Sequence, residues 1–289
     1  MIGMQVIRLN ANTIQHYRTM PRVVMALGFF DGVHRGHQAV LAQARRLADA
    51  RQVPLAVMTF SRHASRAFET TLTTDFRYLN TISQKVDLLG QNHADIVYVV
   101  DFDRQFAAIS PQQFVETYLI GLNVCGVVGG FDYTFGRGGH TQISQMAQYS
   151  RGRFTVTVVA EHDAAQEKIG STAIRHLVKV GNVARANALL GHPYALAGQV
   201  IPQARGTFAF NPASRLQQRP PQGSYRCQLK TTAGMWPGTL TITTDGLTIQ
   251  TAALSATERT VEVAILARQA ARVVPWQRGS APVIAVRAM

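Results

Sequence analysis

The sequence predicts an α/β fold, a parallel sheet covered by helices, followed by a small antiparallel β unit. Three observations carry that expectation. From Val23 to Leu190 short apolar runs alternate with helical patterns, the texture of parallel strands joined by crossover helices. After Gly191-His192-Pro193-Tyr194 helical periodicity stops, and proline and glycine recur at Pro202, Gly206, Pro212, Pro220, Pro221 and Gly223. At 289 residues with 46% hydrophobic content, the chain can bury one large core or two ordinary ones. The boundaries expected are 1–190 and 191–289.

Taken in order, Val23-Val24-Met25-Ala26-Leu27 reads as a strand that runs into a glycine-bearing turn, and Gln38 to Leu47 as the helix that follows. Leu55 to Phe60 is a buried strand, Ser83 to Leu89 starts a helix, and Ile96 to Val100 is a second clear strand. Ser110-Pro111-Gln112-Gln113 opens a helix with Ser110 as N-cap, Pro111 in the first turn and Gln113 closing a capping box. Val124 to Val128 is a strand ending in Gly129-Gly130, and Phe154 to Val159 is another. Beyond residue 191 the short runs Ser224–Leu229, Gly238–Thr243, Leu247–Thr251, Thr260–Leu266 and Pro282–Val286 suggest a small barrel or sandwich. Asp245-Gly246 is a hairpin turn between two of them.

Four segments carry chemistry. In Gly28-Phe29-Phe30-Asp31-Gly32-Val33-His34-Arg35-Gly36-His37, two histidines flank one glycine where a strand turns into a helix. Such a turn aims backbone N–H groups and both imidazoles at one point, a place for a triphosphate. Gly28 and Gly32 permit the sharp turn, Gly36 lets the backbone approach a nucleotide, and Asp31 holds the turn through backbone N–H groups. The bland alternative is two histidines in a surface loop. In Ile169-Gly170-Ser171-Thr172-Ala173-Ile174-Arg175, Ser171 or Thr172 caps a helix and Arg175 lies one turn on, so that hydroxyl, helix end and guanidinium converge on an anion. Read alone, that segment is an ordinary cap beside a solvated arginine. Gly130 to Arg137 interleaves Phe131, Tyr133 and Phe135 with Asp132. The rings are candidates to stack on a flat ligand, and Asp132 is a candidate for magnesium or a ligand hydroxyl, unless the rings are core. Thr59-Phe60-Ser61-Arg62-His63 ends a strand on the same rim, where a histidine is structural as readily as functional.

The formal net charge of +13 attracts phosphates, and Lys and Arg outnumber Asp and Glu by 29 to 16 without a block of like charges. The chemistry therefore favours a phosphate-rich small molecule, with nucleic acid as the second reading through the basic C-terminal half. No run of about 18 apolar residues suggests a membrane helix, and the N-terminal residues do not resemble a signal peptide. Cys125 and Cys227 sit in no metal spacing and read as buried thiols. A cytoplasmic protein is expected.

The four segments, in this order, resemble the bacterial riboflavin kinase/FMN adenylyltransferase family, the bifunctional FAD synthetases. The family's Gly-x-Phe-Asp-Gly-Val-His-x-Gly-His is matched from Gly28 to His37. Its Gly-x-Asp-Phe-x-Phe-Gly is matched from Gly130 to Gly136 with Tyr133 in place of Phe, and its Ile-Ser-Ser-Thr-x-Ile-Arg from Ile169 to Arg175 with Gly170 in place of Ser. Ala186 to Tyr194 is similar to the family's inter-domain connector.

The resemblance implies a Rossmann-like nucleotidyltransferase domain followed by a small β-barrel. It implies transfer of AMP from ATP to FMN, with Mg²⁺, giving FAD and pyrophosphate. His34, His37 and Arg175 would be catalytic. Gly28, Phe29, Phe30, Asp31, Gly36, Ser171 and Thr172 would bind ATP, and Phe60, Arg62, His63, Asp132, Tyr133 and Phe135 the flavin. Two departures stand out. The family's Thr-Phe-x-Pro-His-Pro has become Thr59-Phe60-Ser61-Arg62-His63-Ala64, and its kinase motif Gly-x-Pro-Thr-Ala-Asn is missing from Gly206 to Pro212. Pro220 to Tyr225 still resembles the family's Pro-x-Gly-x-Tyr. A barrel without its kinase site is therefore expected. The alternatives are adenylylation or cytidylylation of another phosphorylated small molecule, and a non-catalytic flavin- or nucleotide-sensing RNA-binding protein.

Overall fold

A computed structural model of the chain describes residues 3–64, 76–160, 163–164, 167–203, 206–252, 254 and 259–270. The N-terminal sheet is built from β1 (Gln5–Leu9), β2 (Val23–Leu27), β3 (Leu55–Phe60), β4 (Ile96–Val100), β5 (Val124–Gly130) and β6 (Thr155–Val159). Its order is β1-β4-β3-β2-β5-β6, with every pair parallel. The chain steps outward from β2 through β3 to β4, then returns to lay β5 and β6 on the other side of β2. That reversal is a topological switch point, and a crevice opens there beyond the carboxyl ends of β2 and β5.

The strands β2, β3 and β4 are buried at every position, because both faces of the sheet are covered. Met25, Leu27, Met58 and Tyr98 face one layer with Phe114, Tyr118 and Leu119 of α3, which is Pro111–Phe114 continued by π-helical Val115–Ile120. Val24, Ala26, Val57 and Val97 face the other, against Leu41 and Ala44 of α1 (Arg35–Ala50) and Val86 and Leu89 of α2 (Ile82–Gln91). As the sequence predicts, Ser110 and Gln113 form a capping box around Pro111. Helix α1 starts three residues earlier than its apolar pattern, with His34 as N-cap.

The C-terminal unit is a closed barrel rather than a sandwich, with all pairs antiparallel. Its strands are β7 (Tyr194–Pro202), β8 (Thr207–Pro212), β9 (Gly223–Thr231), β10 (Gly234–Ile242), β11 (Leu247–Gln250) and β12 (Thr260–Arg268), in the order β7-β8-β11-β10-β9-β12. Pairing of Tyr194 with Ile265 closes the ring. Asp245-Gly246 makes the hairpin between β10 and β11, where Thr243 N–H reaches Gly246 O at 2.9 Å. The strand expected at Pro282–Val286 lies outside the described residues; β7 and β8 complete the barrel.

Helices α4 (Ser171–Lys179) and α5 (Val183–Leu190) bury Ile174, Val178, Val183, Ala186 and Leu190 in the barrel's own core, together with Leu196, Tyr225 and Ile265. Leu79, from the segment before α2, joins that core. The barrel's apolar core therefore takes in Leu79 and the two helices that precede β7, apart from the two clusters that flank the sheet. Both cysteines are free and buried, one in each unit. Among the described residues no helix is long and apolar enough to cross a membrane.

Candidate active site

The first site element is the loop leaving β2. Three of its residues, Phe30 (φ 55°), Gly32 (φ 81°) and Val33 (φ 38°), stand in the left-handed region. For the β-branched Val33 this is strained backbone, which persists only where neighbours hold it. They do so here. Gln38 Nε2 donates to both Val33 O and Leu190 O at 2.8 Å, and a ring nitrogen of His192 lies 2.9 Å from Gly32 O. At Gly32 a Cβ would stand 2.7 Å from Leu79 Cδ1, so the turn needs glycine for space as well as for φ.

The loop delivers His34 and His37 to the start of α1. His34 Nδ1 accepts the backbone N–H of His37 at 3.3 Å, which caps the helix and leaves the ring proton on Nε2. The two rings stack with centroids 3.6 Å apart. Burial pulls the His34 pKa down to about 4, helped by the charges of Arg175 and His192. Burial drives His37 well below the ordinary imidazole range, with His34 and Lys85 adding to it. Both rings are therefore neutral near pH 7, and each offers one N–H to an anion. His37 Nδ1 is a buried polar atom without a partner.

Asp31 ties the site together. Its carboxylate accepts from Leu79 N at 2.9 Å and Asn80 N at 3.3 Å, and from Arg175 Nη1 at 2.8 Å. Its backbone carbonyl accepts from Ser171 Oγ at 2.8 Å. Asp31 was expected to hold its own turn through backbone N–H groups; its carboxylate instead holds the segment before α2 and Arg175. Ser171 is the first residue of α4 and Gly170 is its N-cap, so neither Ser171 nor Thr172 caps the helix as the sequence suggests. The hydroxyl of Ser171 is used instead to bind α4 to the histidine loop.

Beyond the strand ends lies a cavity of about 610 Å³. Gly28, Phe29, Phe30, His34, Gly36 and His37 line one side, and Gly170, Ser171 and Thr172 the other. Gly130 at the end of β5 with Phe131, Asp132 and Tyr133 beyond it, and Phe60 at the end of β3 with Arg62 and His63 beyond it, complete the wall. All four sequence segments therefore meet in one place. Three residues named with them do not reach it. Asp31 lies behind the loop. Arg175 lies against Asp31, with Nη2 3.2 Å from Thr172 Oγ1 and the guanidinium 4.5 Å from the Phe76 ring centroid. Phe135 packs in the core beside Phe114 and Tyr149, so it is a core aromatic and not a wall of the cavity.

Lys85 is a site residue the sequence reading missed. It is 3% exposed, and its Nζ donates to Phe29 O at 3.1 Å and Phe60 O at 3.0 Å, tying together the segments that follow β2 and β3. It also lies 4.1 Å from the Phe29 ring centroid. Burial lowers its pKa to about 8, and Asp31 opposes the shift. A signal was present: Ile82, Lys85, Val86 and Leu89 share one helical stripe, so the lysine stands among apolar residues.

A divalent metal carried by a nucleotide needs only one or two protein carboxylates besides the phosphates. Asp132, exposed and on the cavity wall, supplies the one carboxylate of that lining among the described residues. Among the described residues there is no cluster of three metal-ligating side chains. The donor set among the described residues fits a metal arriving with a triphosphate.

The FAD synthetase family model matches residues 17–173. The bifunctional riboflavin kinase/FMN adenylyltransferase of Listeria monocytogenes is 45% identical over 178 residues, 62% of this chain and 56% of that protein. The Bacillus subtilis protein of that name is 40% identical over 181 residues, with the same coverage. The Escherichia coli protein is 33% identical over 214 residues, 71% of this chain and 67% of its own. The chain thus spans little more than half the length of the first two relatives. A crystal structure described as a macrolide-efflux protein from Streptococcus pneumoniae superposes with a TM-score of 0.81 at 27% identity, covering 92% of this chain and 91% of that one. That likeness extends through the barrel.

Proposed function

The chain belongs to the FAD synthetase family, and on that premise we propose that it is an FMN adenylyltransferase, joining AMP from ATP to FMN to give FAD and pyrophosphate. The observation that carries this reading is the single cavity shared by the histidine pair, the start of α4 and the aromatic segment after β5. Such a cavity has room for a triphosphate at the switch point and a flat ring against apolar walls.

The FMN phosphate is already an anion near neutrality, so its attack on the α-phosphate needs no general base. The pentacoordinate phosphorus spreads charge over its oxygens while the bond to pyrophosphate breaks. The protein's task is to position both reactants and stabilise that charge. His34 Nε2–H and the His37 ring would donate to phosphate oxygens, backbone N–H groups at the start of α4 would face the tail, and Ser171 and Thr172 would shape that side. Mg²⁺, carried with the ATP and approached by Asp132, would neutralise the leaving pyrophosphate. Tyr133, Phe131 and Phe60 would flank the flavin, with Arg62 and His63 at its edge. Arg175 would act through Asp31, or turn from it toward the phosphates.

Riboflavin kinase activity is proposed to be lost. In support, Thr207–Pro212, which stands where the kinase motif would be, is strand β8, paired with β7 and β11. Arg62, in place of a family proline on the cavity wall, favours a second reading in which another phosphorylated acceptor is used. Incubating the chain with ATP and Mg²⁺ plus FMN, riboflavin or another phosphorylated small molecule, then separating the products by chromatography and measuring pyrophosphate, tests all three statements. FAD from FMN, and no FMN from riboflavin, is expected. Pyrophosphate release only with a different phosphorylated acceptor would replace FMN, and FMN made from riboflavin would restore the kinase.

A further inference from the structure

The connector between the two units runs along the histidine loop. Helix α5 ends at Gly191, which stands in the left-handed region (φ 78°) and whose N–H closes the helix on Asn187 O at 2.8 Å. His192 and Pro193 then lead into β7. Hydrogen bonds join this stretch to the loop and to the start of α1. Arg35 Nε donates to Ala188 O at 2.8 Å, Gln38 Nε2 donates to Leu190 O at 2.8 Å, and a ring nitrogen of His192 lies 2.9 Å from Gly32 O. The approach is close, since a Cβ at Gly191 would stand 3.1 Å from Gln38 Oε1.

These ties differ in what they hold. Arg35 and Gln38 fasten the start of α1, whereas His192 fastens the turn itself. Its target is the carbonyl of the peptide that joins Gly32 to Val33, two residues with positive φ. A carbonyl oxygen only accepts, so Nε2 of His192 is the donor. Holding that carbonyl fixes the peptide plane at the most strained point of the loop. The next residue along is His34, whose ring accepts the His37 N–H at 3.3 Å. Rotation of the Gly32–Val33 peptide would therefore carry the His34 ring with it.

The barrel sets where His192 stands. Asn187 Nδ2 donates to Ile265 O on β12 at 2.9 Å, and Asn187 Oδ1 accepts the Tyr194 N–H of β7 at 2.7 Å. Val183, Ala186 and Leu190 of the same helix pack in the barrel's core. Both sides of His192 are thus anchored to the barrel, while its ring reaches back to the loop.

We propose that His192 is a positioning residue for the transfer reaction, keeping the His34 ring aimed into the cavity through Gly32 O, and that the barrel serves the active site by holding His192 in place. The inference rests on the reading of the chain as an FMN adenylyltransferase, and it gives the barrel a task that needs no kinase site.

Two replacements of similar size test it. His192→Gln keeps a side-chain N–H donor, and His192→Leu keeps the bulk without one. The His37 amide, bonded to the His34 ring, reports the placement of that ring by its rate of hydrogen exchange, whatever reaction the chain catalyses. In His192→Leu this exchange should quicken by roughly tenfold, about the weight of one hydrogen bond, while the amides of Leu41 and Ala44 further along α1 exchange as in the wild type. The kcat for FAD formation should fall by roughly tenfold, with KM for ATP changed by less than about twofold. His192→Gln should restore both. Where His192→Leu fails to fold, His192→Ala takes its place in the comparison. Unchanged exchange at His37 in the donor-less variant overturns the proposal, as does faster exchange combined with wild-type kcat. A glutamine variant as impaired as the leucine one overturns it too, and so does faster exchange spread evenly along α1, which marks a general loss of stability. A wild type that makes no FAD refutes the FMN reading instead, and exchange at His37 then still decides whether His192 holds the ring.

Discussion

His34 caps α1 through Nδ1 and lines the cavity, and the proposed donation from Nε2–H can be separated from the cap. Asparagine caps a helix as well as any residue and does not titrate in this range. The folded-state pKa of His34 lies near 4, below the ordinary 6.5, so the unfolded chain binds the proton more readily between those values. Stability supplied by the neutral ring is complete above the unfolded pKa and falls as pH drops from 6.5 toward 4. Between about pH 7 and pH 5 this one group should cost the wild type about 2 kcal/mol in urea unfolding. His34→Asn should show a smaller loss, and an equal loss would mean that His34 does not carry it. His37→Ala should leave the urea midpoint near that of the wild type and lower kcat for FAD formation by about 10²- to 10³-fold, the usual effect of removing a charge-stabilising donor. Unchanged turnover would remove His37 from the chemistry. Lys85 acts at the same scale by another route. Replacing it with Met leaves the Phe60 carbonyl without its ammonium donor, and Phe29 O with Thr59 Oγ1 alone at 2.8 Å. A loss of about 1–3 kcal/mol in the urea midpoint is expected, with a lower kcat because the Phe29 and Phe60 segments both line the cavity.

Among the elements, what could be read from the sequence follows from how each is buried. Strands β2 to β5 were legible because a parallel sheet covered on both faces leaves continuous apolar runs. Edge strand β1, buried only at Ile7 and Leu9, carries no such run and was not read. The capping box before α3 was read correctly because its signal is local, within four residues. Gly170 took the cap that Ser171 was given, because the Ser171 hydroxyl has a partner 140 residues away at Asp31. The four chemical segments were legible as motifs, and their convergence followed from the strand order they imply. The partners Asp31–Arg175 and Lys85–Phe60 were not, since separations of 144 and 25 residues leave no periodic trace. The loop after β2 yields its own prediction. Gly32→Ala meets both φ 81° and the Leu79 side chain, and should destabilise by more than about 1 kcal/mol. It should also lower kcat more than it raises KM, because the loop sets where His34 points; a variant with wild-type melting and wild-type kcat would show that the strained turn is not needed.

At the scale of the whole molecule, the site depends on a seam that both units build. Gln84 on α2 donates to Ala195 O at 3.1 Å and Glu262 Oε2 at 3.0 Å, and Gln217 returns from the barrel side to Leu79 O and Gln84 Oε1. The next residues along, Leu79 and Asn80, hold Asp31 through their N–H groups, and Asp31 holds Arg175 and Ser171. The barrel is therefore linked to the histidine loop by a chain of hydrogen bonds in which each member has a named partner. Leu79, Ile174 and Leu190 lie in the barrel's apolar core, so packing couples the same parts. If that coupling is what joins the units, the wild type should unfold in one denaturant transition. Gln84→Ala with Gln217→Ala removes the amide contacts and leaves the apolar seam. Each buried group left unpaired should cost about 1–3 kcal/mol, and the two units should then separate into two transitions. In a Trp276→Phe background, which removes the second tryptophan, fluorescence reports the barrel through Trp236 on β10, while FAD formation reports the cavity. Activity lost at lower denaturant than the Trp236 signal in the double variant, with coincident loss in the wild type, is the expected result. Coincident curves in both proteins would mean that the apolar seam alone holds the barrel to the site.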